Sequence, residues 1–213
     1  FRFNFRGVGK SEGKFDNGLG ELADAAAALD WLQRQNPNTN QCWVSGFSFG
    51  ALMCMQLLMR RPEITRFISI SPQPNLYDFN FLAPCPASGM IIQGKKDELV
   101  PVDFINELEK RLSSQKGIKV DFHSVLDANH FFSKSEKNLV KVSTETDRSS
   151  ALSISLQPRN QWPRLFESSS NRATASSTIT AGYISFSQLT ESSSALWTIV
   201  PLAGATCHSK CSF

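Results

Sequence analysis

At 213 residues, with 41% apolar side chains and a formal net charge of +3, the chain is long enough to enclose a core and too evenly charged to present a polyanion-binding face. Residues 1–140 carry 16 basic against 15 acidic side chains, so neither nucleic acid nor an acidic membrane surface is an expected partner. No stretch is long and apolar enough to cross a membrane as a helix.

Phe1 to Phe5 alternates apolar and polar residues and reads as a strand. It runs into Gly9-Lys10-Ser11, which resembles the end of a phosphate-binding loop. That loop needs a glycine five positions before Gly9, where Asn4 stands, so nucleotide binding is not expected. Glu21 to Gln35 has Leu22, Ala25, Ala26, Leu29 and Leu32 at helical spacing, with Glu21, Asp24 and Asp30 assigned to its solvated face and N-terminal charge. After the turn cluster at 36–40, Gln41 to Ser45 is short and apolar, the pattern of a buried parallel strand.

Gly46-Phe47-Ser48-Phe49-Gly50 follows at once, a G-x-S-x-G sequence. In a nucleophile elbow the serine rides a sharp strand-to-helix turn, and the residues two before and two after it must lack bulk, as Gly46 and Gly50 do. The flanks agree: a strand precedes, and Ala51 to Arg60 is rich in helix formers and closed by Arg60-Arg61-Pro62. Arg66 to Ser71 is the next strand, and Ser71 to Pro86 is a proline-bearing connection. Its Tyr77, Phe79 and Phe81 either line an acyl or alcohol pocket or pack on the sheet.

Ser88 to Gln93 reads as a further strand, leading into Gly94 to Pro101, where Asp97 is the acid of interest. Val102 to Gln115 is an amphipathic helix, and Ile118 to Val125 is a strand that contains His123 and delivers His130 on the loop after it. Ser48, Asp97 and His130 thus occur in the order nucleophile, acid, base, each on a loop after a strand, the arrangement of α/β-hydrolases.

Five cysteines form no C-x-x-C pair, and Cys207-His208-x-x-Cys211 is too sparse for a zinc site, so no metal and no cofactor are expected. Cys42 and Cys54 flank the elbow and read as reduced core thiols of a cytoplasmic protein.

From Phe1 to about Val142 the sequence resembles bacterial α/β-hydrolases of the serine hydrolase kind, akin to dienelactone hydrolase and Xaa-Pro dipeptidyl-peptidase-like domains. The blocks that carry the likeness are FNFRGVGKSEGKFDNG, WVSGFSFGA, QLLMRRPEI, YDFNFLAPCP, IIQGKKDELVP and NHFF. The resemblance implies Ser48 as nucleophile, His130 as general base, Asp97 as the acid that orients it, and the backbone N–H of Phe49 as one oxyanion donor. It implies hydrolysis of a small-molecule ester, thioester or amide through an acyl-enzyme. The dienelactone branch uses a cysteine nucleophile, which Ser48 replaces, so its substrate is not carried over. Asp127-Ala128 stands where such proteins have Gly-Ala, so the histidine loop is expected to sit differently.

Against the family pattern, Phe1 to Phe5 corresponds to the fourth strand. The fold class expected is therefore a partial α/β-hydrolase, a mostly parallel sheet with flanking helices that lacks the first strands, the neighbour of the elbow strand and the second oxyanion donor among them. Residues 1–142 form this domain. From 143 to 213 the pattern stops: 17 of the 73 residues from 141 onward are serine, with only short β-like pieces at 151–156 and 178–186, which implies a disordered or non-family tail. A non-catalytic α/β-hydrolase-like module, or a degenerate fragment, is the rival reading. Substrate and oligomeric state are not legible.

Overall fold

The computed structural model describes residues 1–150 and 196–202. The elements, in order, are β1 (Arg2–Asn4), α1 (Leu19–Gln35), β2 (Gln41–Phe47), α2 (Phe49–Leu58), β3 (Arg66–Ile70), a 3₁₀ turn (Asn80–Leu82), β4 (Ser88–Gly94), α3 (Val102–Ser113), β5 (Val120–Val125), α4 (Glu136–Ser150) and β6 (Leu196–Leu202). Cys207, His208 and Cys211 and the β-like pieces at 151–156 and 178–186 lie outside the described residues.

The six strands form one sheet in the order β1-β6-β2-β3-β4-β5. β2, β3, β4 and β5 are parallel neighbours, with Val44 opposite Phe67, Ile68 opposite Met90 and Ile92 opposite His123. Helices cover both faces, so the strands can be apolar on both sides, and alternate residues feed two cores. Phe67 and Ile91 meet Leu29 of α1, Leu57 of α2 and Leu108 of α3 on one face. Ile68, Ile70, Met90 and Ile92 meet Phe132 and Leu139 of α4 on the other.

β6 lies antiparallel between β1 and β2, with Gln41 to Gly46 of β2 opposite Leu202 to Trp197. It occupies the place beside the elbow strand that the family pattern leaves open, so β2 has a backbone partner on each side. A strand running through the middle of a sheet must have its amides and carbonyls satisfied on both edges, and β6, a run rich in aromatic and β-branched residues, meets that requirement for β2.

The loop at 6–15 closes on itself. Gly7 N–H donates to the Glu12 carbonyl, Val8 N–H to Phe5, Ser11 N–H to Val8 and the Ser11 hydroxyl to the Asn4 carbonyl. These bonds fold the 4–12 segment back on itself beside β1.

Glu21 departs from the expected solvated position: its residue is 0% exposed. Its carboxylate accepts the N–H groups of Asp16 (2.9 Å) and Gly18 (2.8 Å), half of a capping box in which Gly18, at φ 95°, has no side chain to return the bond. Helix periodicity locates Glu21 on the first turn, and the returning 16–18 loop then buries it. Asp24 and Asp30 pair with Arg6 and Arg61, respectively, and are structural charges.

Cys42, Cys54 and Cys85 are buried free thiols. Burial, with Glu63 adding to it, pushes the Cys42 thiol up to about 11, and burial pushes Cys54 and Cys85 upward as well. Two predictions follow from these buried polar groups. Glu21→Ala leaves two inward N–H groups without acceptors and should lower stability by about 2 kcal/mol, read as a loss in a urea melt. At pH 8 the thiolate fraction of Cys42, Cys54 and Cys85 is small, so peptide-mapped alkylation by iodoacetamide should be negligible in the native protein and complete in denaturant.

Candidate active site

The site starts from the end of β2. Ser48 adopts φ 54°, ψ −117°, a conformation rare for a residue with a side chain, and its N–H donates to the Ile70 carbonyl at 2.9 Å. Its own carbonyl accepts the Ala51 N–H at 2.9 Å, so the turn passes directly into α2. A Cβ on Gly46 would collide with the Gly50 carbonyl, the close approach that demands a glycine at this end of the elbow. Phe49 is the first residue of α2, so its N–H is among those with no acceptor inside the helix and stands beside Ser48.

Asp97 follows β4 and His130 follows β5. Their loops are joined by backbone bonds from Lys95 N–H to Val125 and from Lys96 N–H to Ala128, both 2.9 Å. A Cβ on Gly94 would press into the carbonyls of Ala128 and Asn129, so this glycine lets the two loops touch. Asp127, the departure from the family's Gly-Ala, pairs with Lys96 at 2.9 Å, and Ala128 is fully buried. Asp127 thus contributes a surface ion pair where the two loops touch.

Three side chains that the sequence proposed, 82 positions apart at the extremes, meet in one line. His130 Nδ1 lies 2.8 Å from Asp97 Oδ2, and Nε2 lies 3.0 Å from Ser48 Oγ. The side chains of His130 and Asp97 are 3% and 1% exposed. Asp97 is saturated with donors: Leu99 N–H (2.9 Å) and Val100 N–H (3.1 Å) reach Oδ1, and Gln93 Nε2–H reaches Oδ2 at 2.6 Å. Asp97 accepts on both oxygens, and the tautomer with its proton on His130 Nδ1 completes this set and leaves Nε2 to accept from serine. Phe47 and Phe131 pack on the imidazole with centroids at 5.4 and 5.1 Å. His123, inside β5, is not part of this line.

Tyr77, Phe79 and Phe81 divide. Phe79 is buried in the core and stacks with Phe81, whereas Tyr77 faces Phe49 at 5.9 Å beside the elbow. Phe15, 62% exposed, meets the other side of Phe49 at 5.6 Å. A cavity of about 460 Å³ is lined by Asp97, Gln93 and His123 but by neither Ser48 nor His130. Sequence reading missed Gln93, Ser71 and Gln73. Ser71 donates its hydroxyl to the His130 carbonyl at 3.0 Å, and Gln73 stands 3.1 Å from Ser48 Oγ. Nothing in a local pattern marks them: Ser71 and Gln73 act on residues distant in the chain, and Gln93 reaches Asp97 only across the end of β4. Among the described residues no group of three His, Cys, Asp or Glu side chains could hold a metal ion, and no helix is long and apolar enough to cross a membrane.

A parallel sheet with helices on both faces, and a serine on a strained turn at the carboxyl end of one strand, define the α/β-hydrolase fold. The sequence pattern of the X-Pro dipeptidyl-peptidase (S15) family matches residues 2–183, and the chain belongs to that family. An uncharacterized protein of Rickettsia prowazekii (strain Madrid E) is 56% identical over 135 residues, which are 62% of this chain and 57% of that protein, so the match spans little more than half of the relative. A protein of unknown function from Agrobacterium tumefaciens, classed with the α/β-hydrolases, is 51% identical with a TM-score of 0.66, covering 69% of this chain and 68% of that one. An α/β serine hydrolase homologue from Coxiella burnetii is 31% identical with a TM-score of 0.58, over 67% of this chain and 66% of that one. A lidless α/β serine hydrolase from Xanthomonas campestris is 29% identical with a TM-score of 0.60, over 73% and 66%. Family and fold thus assign the chain to the α/β serine hydrolases.

Gly46→Ala tests the elbow itself. The collision is with backbone, which cannot swing aside, so the variant should lose several degrees of thermal stability and react more slowly at Ser48 than the parent, measured by melting and by active-site labelling.

Proposed function

We propose that the chain hydrolyses a small-molecule ester, thioester or amide through an acyl-enzyme on Ser48. The observation that carries this reading is the unbroken hydrogen-bonded line from Asp97 through His130 to Ser48. His130 Nε2 takes the serine proton as Oγ bonds to the substrate carbonyl carbon, and the carbonyl π pair moves to oxygen, where the Phe49 N–H receives it. Collapse expels the leaving group, which takes the proton back from His130. Water then attacks the acyl carbon, giving its proton to His130, and collapse breaks the bond to Ser48 Oγ, which takes that proton back as the acid is released. Asp97 keeps the imidazole in the required tautomer and balances its positive charge in between.

The apolar contacts of Phe15 and Tyr77 with Phe49 leave aromatic surface next to the nucleophile, which suits an acyl or alcohol group without charge. Labelling with a fluorophosphonate is the decisive experiment. The parent should be labelled and Ser48→Ala should not; Asp97→Asn should slow labelling by on the order of 10³ to 10⁴, as expected for the wrong imidazole tautomer. Equal labelling of the parent and Ser48→Ala would remove Ser48 from the chemistry. A folded parent that takes no label would mark the chain as a non-catalytic member of its family.

A further inference from the structure

We infer that the side-chain amide of Gln73 donates a hydrogen bond to Ser48 Oγ, holding the serine proton on the His130 side and supporting the charge that builds on Oγ as that proton leaves. The inference rests on the reading of Ser48 as nucleophile and His130 as base.

Gln73 lies on the loop after β3, is 7% exposed, and its carboxamide stands 3.1 Å from Ser48 Oγ on a position drawn as Oε1. A serine hydroxyl has one proton and two lone pairs. His130 commits its Nδ1–H to Asp97, so Nε2 is an acceptor and needs the serine proton. Once that proton is committed, Oγ turns only lone pairs toward Gln73, and a carbonyl oxygen facing them would repel. The two ends of a carboxamide have the same shape, so hydrogen balance decides between them, and it turns the Nε2–H toward Ser48. Oγ then makes one donated and one accepted bond. The donor is aimed where negative charge develops, and it needs no reorganisation when the proton moves.

The loop is built to keep Gln73 there. The Gln73 carbonyl accepts the N–H groups of Leu76 (3.1 Å) and Tyr77 (3.0 Å), closing a tight turn. Ser71, at φ 44°, donates its N–H to the Ile92 carbonyl and its hydroxyl to the His130 carbonyl. Asn75 Nδ2–H donates to the Leu99 carbonyl at 2.9 Å, and Leu99 N–H in turn holds Asp97. One seven-residue loop, 71–77, therefore touches the serine side chain, the histidine backbone and the loop of the acid. Packing alone does not require an amide at the serine.

Two near-isosteric variants of the full chain separate a donor from a bystander. Gln73→Leu can neither donate nor accept, and Gln73→Glu can only accept. With fluorophosphonate labelling rates followed against pH, Gln73→Leu should react about tenfold more slowly than the parent, the size of one lost hydrogen bond. Gln73→Glu should be slower still at pH 7, because its carboxylate competes for the serine proton, and its labelling midpoint should move to higher pH, because the nearby charge stabilises imidazolium. Parent-like rates in Gln73→Leu, or a parent-like rate and midpoint in Gln73→Glu, would overturn the assignment. Imidazole ¹⁵N NMR of the parent supplies a second reading that needs no variant at position 73 and no turnover. His130 Nε2, assigned by its loss in His130→Asn, should carry the shift of an unprotonated nitrogen accepting a hydrogen bond. A free, non-bonded Nε2 would mean that Ser48 donates to Gln73 instead, and would overturn the inference. A parent that takes no label removes the nucleophile reading and leaves this spectroscopic test standing.

Discussion

Ser48 reaches the open end of the sheet because the backbone of Gly46 lies against the carbonyl of Gly50, an approach that any side chain at Gly46 would prevent. From this contact follow the strained φ of Ser48, the immediate passage of β2 into α2 and the position of the Phe49 N–H. The strain is held from both sides, by the bond of Ser48 N–H to β3 and by the Ser48 carbonyl serving as an acceptor for the first turn of α2. α2 is anchored in turn: Leu52, Met53, Cys54, Met55, Leu57 and Leu58 are all buried. A helix apolar nearly all round is stable only when covered, here by the sheet on one side and α1 on another.

The rest of the site depends on parallel strands ending at the same edge. β2, β3, β4 and β5 each deliver a loop there, so residues 48, 71–77, 97 and 130 meet without any being near another in sequence. The order of importance among the contacts follows from desolvation. Asp97 and His130 are nearly sealed from water, where an unpaired charge or proton is costly, and both carboxylate oxygens of Asp97 accept hydrogen bonds. The exposed pair of Lys96 with Asp127 sits on the same loops and contributes little by comparison.

The sheet also shows how backbone demand is met from a distant part of the chain, by Leu196–Leu202, a run rich in aromatic and β-branched residues. β6 runs antiparallel to β2 and includes Pro201, opposite Cys42, which has no N–H to give to the ladder. The remaining register still pairs Gln41 to Gly46 on the side away from β3. Thus the elbow strand is interior, and the sheet is continuous from β1 to β5.

Much of this was legible in the residues. Strand, elbow and helix were readable because their signals are local: a short apolar run, two glycines around a serine, and a run of helix formers. Asp97 and His130 were readable because chain order and a post-strand position are also properties of the sequence. The burial of Glu21 was not, since helix spacing reports a face and the loop that covers that face comes from 16–18. Nor was the division of Tyr77 from Phe79 and Phe81, which share one irregular segment. Gln73, Gln93 and Ser71 remained invisible because their partners lie 25, 4 and 59 positions away, and for Gln93 even the short separation spans a strand end. By itself the sequence determined the elements from β1 to β5 and which residue types could do the chemistry, because those follow from periodicity and local backbone needs. Only the tertiary structure decided the distances, the burial of Asp97 and His130, and the donors around them, because these arise where loops far apart in the chain are brought to one edge of the sheet.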